Sequence, residues 1–370
     1  MSIPLYKPYL PKNIWKFASE TMNSGWLGYG PQANKLEKIF SQKFGGWALA
    51  VNSCTSALYI AARCAKETED DEAIIPAITF VSTGMAFRMA GYKVIPVDVT
   101  PQGLISIESV KEAITDHTRV IVAVHLYGQR AQLESLRKIC DAKKIILIED
   151  CAHRVGLADD SRIGDMCCFS FNVMKELPSG EGGLLWCKDQ EYESKAREFA
   201  NVGLSENTVQ RTATIKHSNY LFGTQSGLKF LQNDIIASLT IQLLELYEEN
   251  LLCRKEIFSF YEKILSKYKE FTVLSRNDDD SRLMFVVRLE DKYVDSFRTY
   301  LAEQGIATSH HYPSLSKHPL FESRVDCTKA LQMEREIISL PCFIQITKKQ
   351  LTFIEEVIRN YAEINEFHTN

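Results

Sequence analysis

The chain has 370 residues, of which 45% are hydrophobic and 24% are charged, and its formal net charge is -4 at pH 7. These values are typical of a globular protein with a well-filled core. The balance of charge offers no basic surface for nucleic acid, and no apolar run approaches the roughly 18 residues that a membrane span needs. The first eight residues lack the basic start and apolar run of a signal peptide, which predicts a cytoplasmic protein.

The ten cysteines are scattered along the chain, and none forms a Cys-x-x-Cys pair. Cys140, Cys187 and Cys342 lie in apolar segments, where a free thiol behaves as a small hydrophobic side chain. The pattern therefore predicts structural thiols in a reducing cytoplasm, without a metal site.

In the first two-thirds of the chain, short apolar runs alternate with helix-like segments such as residues 133–142. Six runs are predicted to be buried strands: residues 48–51, 73–75, 94–97, 119–124, 145–148 and 183–186. Their nearly continuous apolar character is typical of a parallel sheet that is covered on both faces. The alternation predicts a doubly wound α/β domain with ligands at the carboxyl ends of its strands.

After Asn233 apolar residues recur at helical spacing from Ile235 to Tyr247, which predicts one long helix connecting two domains. Beyond it, a strand is predicted over residues 282–289, and helices over residues 294–304 and 348–361. We therefore expect a large domain of residues 1–245 and a smaller α+β domain of residues 246–370, on which the N-terminal segment packs.

Two segments in the middle of the chain suggest chemistry. The predicted strand 145–148 runs into Glu149 and Asp150, with His153 three residues further on, although a carboxylate there is often only a helix cap. Lys175 follows Ser170 in an apolar setting and precedes a glycine-rich turn. A lone lysine is usually a solvated charge, but burial here would lower its pKa below about 10.4, as Schiff-base chemistry requires.

Two upstream segments suggest a bound cofactor. Cys54, Thr55 and Ser56 stand between a strand and a helix, where free backbone N–H groups bind phosphate or where a serine merely caps the helix. Phe80 follows a strand end, where a phenyl ring stacks on a flat cofactor or belongs to the core.

The order of these segments resembles the DegT/DnrJ/EryC1/StrS family, the nucleotide-sugar aminotransferases among the fold-type I enzymes that use pyridoxal 5'-phosphate (PLP). The resemblance covers almost the whole chain and rests on residues 24–31, 52–58, 76–80, 124–128, 149–153, 170–175, 180–183 and 339–342. It implies a large domain with a mostly parallel sheet flanked by helices and a smaller α+β domain at the C-terminus.

The resemblance also implies a role for each site residue. Lys175 would hold PLP as a Schiff base and shuttle a proton, and Asp150 would keep the pyridine nitrogen protonated. His153 would hydrogen-bond the phenolic oxygen, and Phe80 would stack on the ring. The phosphate would be bound by Ser170, Cys54, Thr55 and Ser56.

Three positions depart from the family pattern. Cys54 replaces a common glycine, Ser316 stands where relatives often have a histidine, and Lys229 replaces a common asparagine that reaches the cofactor phosphate of the partner subunit. Lys229 could make that contact with a full charge. The residues expected to bind substrate are Trp26, Leu27, His311 and Tyr312.

These residues predict a homodimeric aminotransferase. L-glutamate would convert PLP to pyridoxamine 5'-phosphate, which would then aminate a nucleotide-linked keto sugar, either a 4-keto-6-deoxy or a 3-keto hexose. The alternatives are a sugar dehydratase of the same family, in which a histidine replaces the lysine, and a non-catalytic PLP-binding regulator. A nicotinamide dehydrogenase is disfavoured because Gly25, Gly28 and Gly30 lack the spacing of a dinucleotide-binding loop.

Overall fold

The computed structural model describes residues 2–157, 162–205, 223 and 225–369. The strands in these residues are β1 (Trp47–Val51), β2 (Glu72–Pro76), β3 (Lys93–Val97), β4 (Thr118–Val124), β5 (Ile146–Cys151), β6 (Met166–Ser170), β7 (Gly183–Cys187), β8 (Phe271–Val273), β9 (Phe285–Leu289) and β10 (Ile337–Leu340). The helices are α1 (Ile14–Asn23), α2 (Pro31–Phe44), α3 (Cys54–Ala65), α4 (Ser82–Met89), α5 (Ile107–Ala113), α6 (Leu133–Lys143), α7 (Tyr192–Ala200), α8 (Asp234–Leu244), α9 (Tyr247–Leu265), α10 (Asp291–Glu303), α11 (Thr328–Glu336) and α12 (Lys348–Ile364).

The first seven strands form one mostly parallel sheet in the order β1-β7-β6-β5-β4-β2-β3, in which only β7 runs antiparallel to its neighbours. Alternate residues of one strand enter different cores: Ala73 and Ile75 pack with α3 and α4, whereas Ile74 packs with α5 and α6. Helices therefore cover both faces, which explains the continuous apolar runs. The predicted α/β fold with a mostly parallel central sheet is confirmed.

All six predicted strands are present, but the sequence reading missed β6. Its residues, Met166–Ser170, are buried throughout between β5 and β7. At five residues β6 is as long as β1, β2, β3 and β7, and it directly precedes the polar and glycine-rich Lys175 segment. Finding β6 matters for the site, because Ser170 is its last residue.

The predicted single helix after Asn233 is wrong, because the structure has two helices there. Helix α8 ends at Leu244 and α9 begins at Tyr247. Leu243 belongs to the core beneath the large sheet, whereas Ile257 and Phe258 of α9 belong to a second core. Apolar spacing continues through both helices, so it could not reveal the break between them.

The second core surrounds a three-stranded antiparallel sheet in the order β10-β9-β8. The chain's start joins it, since fully buried Ile3 forms a bridge to Ile306. The predicted strand over 282–289 is the shorter β9, and the two predicted helices correspond to α10 and α12. The division at residues 245 and 246 remains a proposal.

All ten cysteines are free thiols. Cys140, Cys187 and Cys342 are buried, as their apolar surroundings predicted. Among the described residues, no helix has the length and apolarity needed to cross a membrane.

Candidate active site

A cavity of about 320 Å³ lies at the carboxyl ends of the large sheet's central strands. Nine of the residues singled out in the sequence line it: Cys54, Thr55, Phe80, Asp150, His153, Ser170, Lys175, His311 and Tyr312. They come from both halves of the chain, and the sheet order makes them neighbours because parallel strands end at one edge.

Lys175 lies in the loop that connects β6 to β7. Its backbone N–H donates to the carbonyl of Asn172 at 2.9 Å, and Asn172 forms a bridge with Gly180, so the loop is tightly folded. The lysine is half-buried, and burial lowers the pKa of its amine while Cys54 and Asp150 oppose the shift. More of the amine is therefore unprotonated than in an ordinary surface lysine.

Asp150 is the buried carboxylate of the cavity, with 4% of its surface exposed. Its two oxygens accept hydrogen bonds from the Thr83 hydroxyl at 2.8 Å and the Ala152 backbone N–H at 3.0 Å. Burial raises the pKa of Asp150, although these hydrogen bonds and the charge of Lys175 lower it. The carboxylate thus sits among neutral donors, where a cation in the cavity would stabilise its ionised form.

His153 presents one ring nitrogen to the cavity. Its Nδ1 accepts the backbone N–H of Tyr127 at 3.2 Å, which leaves the ring proton on Nε2. The Tyr312 hydroxyl lies 3.2 Å from Nε2, so Nε2 has an oxygen to which it can donate. Burial and the nearby Lys175 hold the pKa of His153 well below its usual value, so the ring is neutral at physiological pH.

The start of α3 forms the polar end of the cavity. Ser53 caps the helix by accepting the Ser56 N–H at 3.1 Å, which leaves the N–H groups of Cys54 and Thr55 without a partner in the described residues. The exposed Thr55 and the buried Ser170 lie beside these donors. Together they provide amides and hydroxyls for an anion.

The rim of the cavity is aromatic. Phe80 is 54% exposed, and its ring centroid lies 5.7 Å from that of Tyr312, at an interplanar angle of 53°. His311 is held by the Ser339 hydroxyl, 2.7 Å from Nδ1. Burial, with the charges of Lys175 and His310, lowers the pKa of His311 to about 4, so this ring is also neutral.

Comparison with known proteins agrees with this geometry. The profile of the DegT/DnrJ/EryC1/StrS aminotransferase family matches residues 8–359. The chain belongs to this family.

Individual relatives match over nearly the whole chain. The spore coat polysaccharide biosynthesis protein SpsC of Bacillus subtilis (strain 168) is 27% identical over 98% of this chain and 97% of its own length. A dTDP-4-dehydro-2,3,6-trideoxy-D-glucose 4-aminotransferase of Saccharopolyspora spinosa is 28% identical over 88% of this chain and 87% of its own. The crystal structure of the aminotransferase TlmJ from Streptoalloteichus hindustanus has the same fold, with a TM-score of 0.89, 24% identity and coverage of 97% and 98% of the two chains.

Four of the predicted site residues do not line the cavity in the single chain that the structure describes. The hydroxyl of Ser56 donates to Asn52 at 2.6 Å, and Trp26 donates its ring N–H to the Tyr29 carbonyl at 3.0 Å. Leu27 is 52% exposed. Lys229 donates to the Asn201 side chain at 3.0 Å, so its contact with a partner subunit's cofactor stays a prediction.

The sequence reading missed residues that act on the site through hydrogen bonds. Thr83 lies three residues after Phe80, but nothing in its spacing predicted that it donates a hydrogen bond to Asp150. Tyr6 donates its hydroxyl to the Lys175 carbonyl at 2.9 Å across 169 positions of sequence. Neither residue carried a local signal, because each partner is brought close only by the fold.

Proposed function

We propose that the protein is a PLP-dependent aminotransferase that moves an amino group from L-glutamate to a nucleotide-linked keto sugar, a 4-keto-6-deoxy or 3-keto hexose. One observation carries this proposal. A lysine with a lowered pKa, a buried carboxylate and a helix N-terminus with free amides line the same cavity.

The residues present fit PLP. The free N–H groups of Cys54 and Thr55, with Ser170, are suited to its phosphate. The half-exposed ring of Phe80 offers a flat apolar surface to the pyridine ring. Asp150, whose pKa is raised by burial, gains a compensating charge from a protonated ring nitrogen. When bound, PLP supplies an electron sink that makes the hydrogen on the carbon bearing the amino group acidic.

The side chains divide the remaining work. The Nζ of Lys175 would hold the cofactor and, once released, would carry the proton from the substrate carbon to the cofactor carbon that takes up the nitrogen. Asp150 would keep a proton on the ring nitrogen, and Nε2 of His153 would be the donor available to the phenolic oxygen. Phe80 and Tyr312 screen the reacting atoms from water at the rim.

The relatives support the choice of substrate. The Saccharopolyspora relative is named for amination of a dTDP-linked keto sugar, and the Bacillus relative is named for polysaccharide biosynthesis. We extend nucleotide-sugar amination to this chain on that basis. A cytoplasmic homodimer, in which Lys229 contacts the partner's cofactor phosphate, belongs to the same proposal.

Absorbance spectroscopy tests the proposal directly. The protein reconstituted with PLP should show the visible band of the lysine-bound cofactor, lose it when L-glutamate is added and regain it with 2-oxoglutarate. Lys175→Ala should lack this band and turn over no substrate. Lys188→Ala, at a surface lysine just beyond β7, is the matched control and should behave as the wild type.

Two results would contradict the proposal. Full activity of Lys175→Ala would remove the lysine from the chemistry. A band that forms with PLP but stays unchanged with L-glutamate would exclude glutamate as donor and favour the dehydratase or the regulator. After a positive half-reaction, nucleotide-linked keto sugars are screened for return of the band.

A further inference from the structure

The N-terminal segment, residues 3–6, is bound by backbone hydrogen bonds to the region around the three-stranded sheet, which we call the second sheet region. Ile3 donates to the Gly305 carbonyl at 2.8 Å and accepts from Ala307 at 2.9 Å. Leu5 accepts from the backbone N–H of Cys342 at 3.1 Å. The backbone just before Tyr6 is therefore held by the segment that follows α10 and by the segment that follows β10.

The side chain of Tyr6 leaves this segment and reaches the loop that carries Lys175. Its hydroxyl donates to the Lys175 carbonyl at 2.9 Å. Burial raises the pKa of Tyr6, although Arg254 lowers it in part, so the hydroxyl remains protonated and able to donate. Tyr6 also lines a cavity of about 20 Å³ together with His311 and with Met174, the residue before the lysine.

A second contact holds the same loop from the other direction. The residue after the lysine, Glu176, is buried, and its carboxylate accepts the Val155 backbone N–H at 2.6 Å. This contact attaches the loop to the segment that follows His153. The backbone of Lys175 is thus held between the N-terminal segment and the large sheet.

We propose that Tyr6 is a positioning residue, whose hydroxyl fixes the backbone of Lys175 so that the amine stays in the cavity. The contact couples the second sheet region to the reactive lysine through the N-terminal segment. The geometric part of this inference is independent of the reaction, whereas its kinetic consequence rests on the proposed function.

Tyr6→Phe tests the contact in the cofactor-free protein. Amine labelling with trinitrobenzenesulfonate is followed over pH and measured at the Lys175 peptide by mass spectrometry. Without the hydroxyl, the carbonyl lacks its donor and the loop admits water. The midpoint of labelling should therefore rise by roughly half to one pH unit towards the ordinary lysine value of about 10.4. In the PLP-loaded enzyme, kcat should fall several-fold with KM unchanged.

The matched control is Tyr92→Phe, which removes a similar bond, from the Tyr92 hydroxyl to the Ala62 carbonyl at 3.0 Å, at the far end of α3. It should leave the labelling profile of Lys175 as in the wild type. A Tyr6→Phe profile that coincides with the control, whether or not activity falls, would overturn the proposal. If L-glutamate fails to act on the wild type, the proposed function fails, but the labelling result still decides the role of Tyr6.

Discussion

The two faces of β5 each bury a carboxylate, and the two acids stand side by side in the sequence. Because side chains alternate along a strand, Glu149 and Asp150 point to opposite faces. Glu149 lies 2.9 Å from Nε2 of His125 and accepts the Gly164 N–H at 2.6 Å. Asp150 faces the cavity, and its hydrogen-bond donors among the described residues are neutral.

The two carboxylates differ in the direction of their pKa shifts. Burial raises the pKa of Glu149, but its interaction with His125 outweighs this and lowers the pKa to about 2. For Asp150 burial prevails, and the pKa is raised. The chain therefore supplies Glu149 with its own partner and leaves Asp150 under-compensated, as expected for a carboxylate that acts on a cation in the cavity.

We call the face of β5 that carries Glu149 the structural face and the face that carries Asp150 the functional face. The largest expected change in stability follows a substitution on the structural face. Glu149→Gln should lower the free energy of unfolding by about 2–3 kcal/mol, because it leaves a buried hydrogen-bond donor without its acceptor. The two carboxylate oxygens now accept from the ring N–H of His125, whose Nδ1 accepts from Ala131, and from the Gly164 N–H. The new amide has one oxygen, so its N–H groups would face one of these two donors. Chemical denaturation of the cofactor-free protein measures the loss.

A surface carboxylate provides the control for this change. Glu134 is paired with Arg130 but is 62% exposed, so Glu134→Gln should cost less than about 1 kcal/mol. Equal losses for the two variants would show that the Glu149 pair contributes no more than a surface ion pair, and the comparison would fail on its structural side.

The functional face should respond in the opposite way. Asp150→Asn removes a carboxylate whose ionised form is disfavoured in the folded chain, so the cofactor-free protein should be as stable as the wild type or more stable. Amino transfer should fall by about 10²–10³-fold, because the ring nitrogen loses its charged partner. Denaturation and single-turnover spectroscopy measure the two effects.

Two results for Asp150→Asn would contradict different parts of the proposal. An unchanged transfer rate would remove Asp150 from the proposed chemistry. A destabilisation as large as that of Glu149→Gln would show instead that Asp150 is a structural residue, and the contrast between the two faces would disappear.

The difference between Glu149 and Asp150 also shows which properties of the site the sequence alone can predict. The structure brings Asp150 and His153 to one cavity, since polar residues after an apolar strand collect at one sheet edge, whereas Glu149 lies outside the cavity lining. Glu149 and Asp150 could not be told apart, however. Their difference depends on His125, which follows β4, and on Thr83 in α4, and only the sheet order brings these residues to β5.

The strands of the large sheet could be predicted from local sequence patterns. The prediction failed where a feature depends on contacts between distant parts of the chain. Continuous apolar runs revealed six of the seven strands of the large sheet, because burial on both faces leaves a local mark. The break between Leu244 and Tyr247 leaves no such mark, since both helices are apolar on their packed sides. Tyr6 was overlooked because its partner is Lys175, far along the chain.

Acid should destabilise the protein through the structural face of β5, where Glu149 loses its ionised form. The folded-state pKa of Glu149 lies below its ordinary value, so its contribution to stability is present above pH 4.5 and is lost as the pH falls towards 2. Linkage gives a loss of about 2 kcal/mol by roughly pH 3 from this group. Urea midpoints between neutral pH and that value, compared for wild type and Glu149→Gln, measure it.

The difference in the free energy of unfolding between the wild type and Glu149→Gln should become smaller as the pH falls. The variant should be much less stable than the wild type at neutral pH and should approach it as the pH falls. Parallel pH dependences for the two proteins would mean that Glu149 does not titrate in this range, and would place the acid sensitivity elsewhere.

The smallest expected effect concerns the hydroxyl that supports Asp150. Thr83→Val keeps the shape of the side chain but removes the donor at 2.8 Å, so the pKa of Asp150 should rise further and its ionised form should become scarcer. Losing one such hydrogen bond costs about 1 kcal/mol, which corresponds to a roughly five-fold weaker affinity for PLP. Equilibrium titration of the cofactor-free protein with PLP, followed by absorbance, measures this change.

Thr83→Ser is the matched control, because it keeps the hydroxyl and loses only a methyl group. It should bind PLP as the wild type does, whereas Thr83→Val should not. If both variants bound PLP equally well, the hydroxyl would not be needed to keep Asp150 ionised. Burial, the Ala152 N–H and Lys175 would then set the state of Asp150, and the functional face of β5 would depend in part on the lysine that it is proposed to serve.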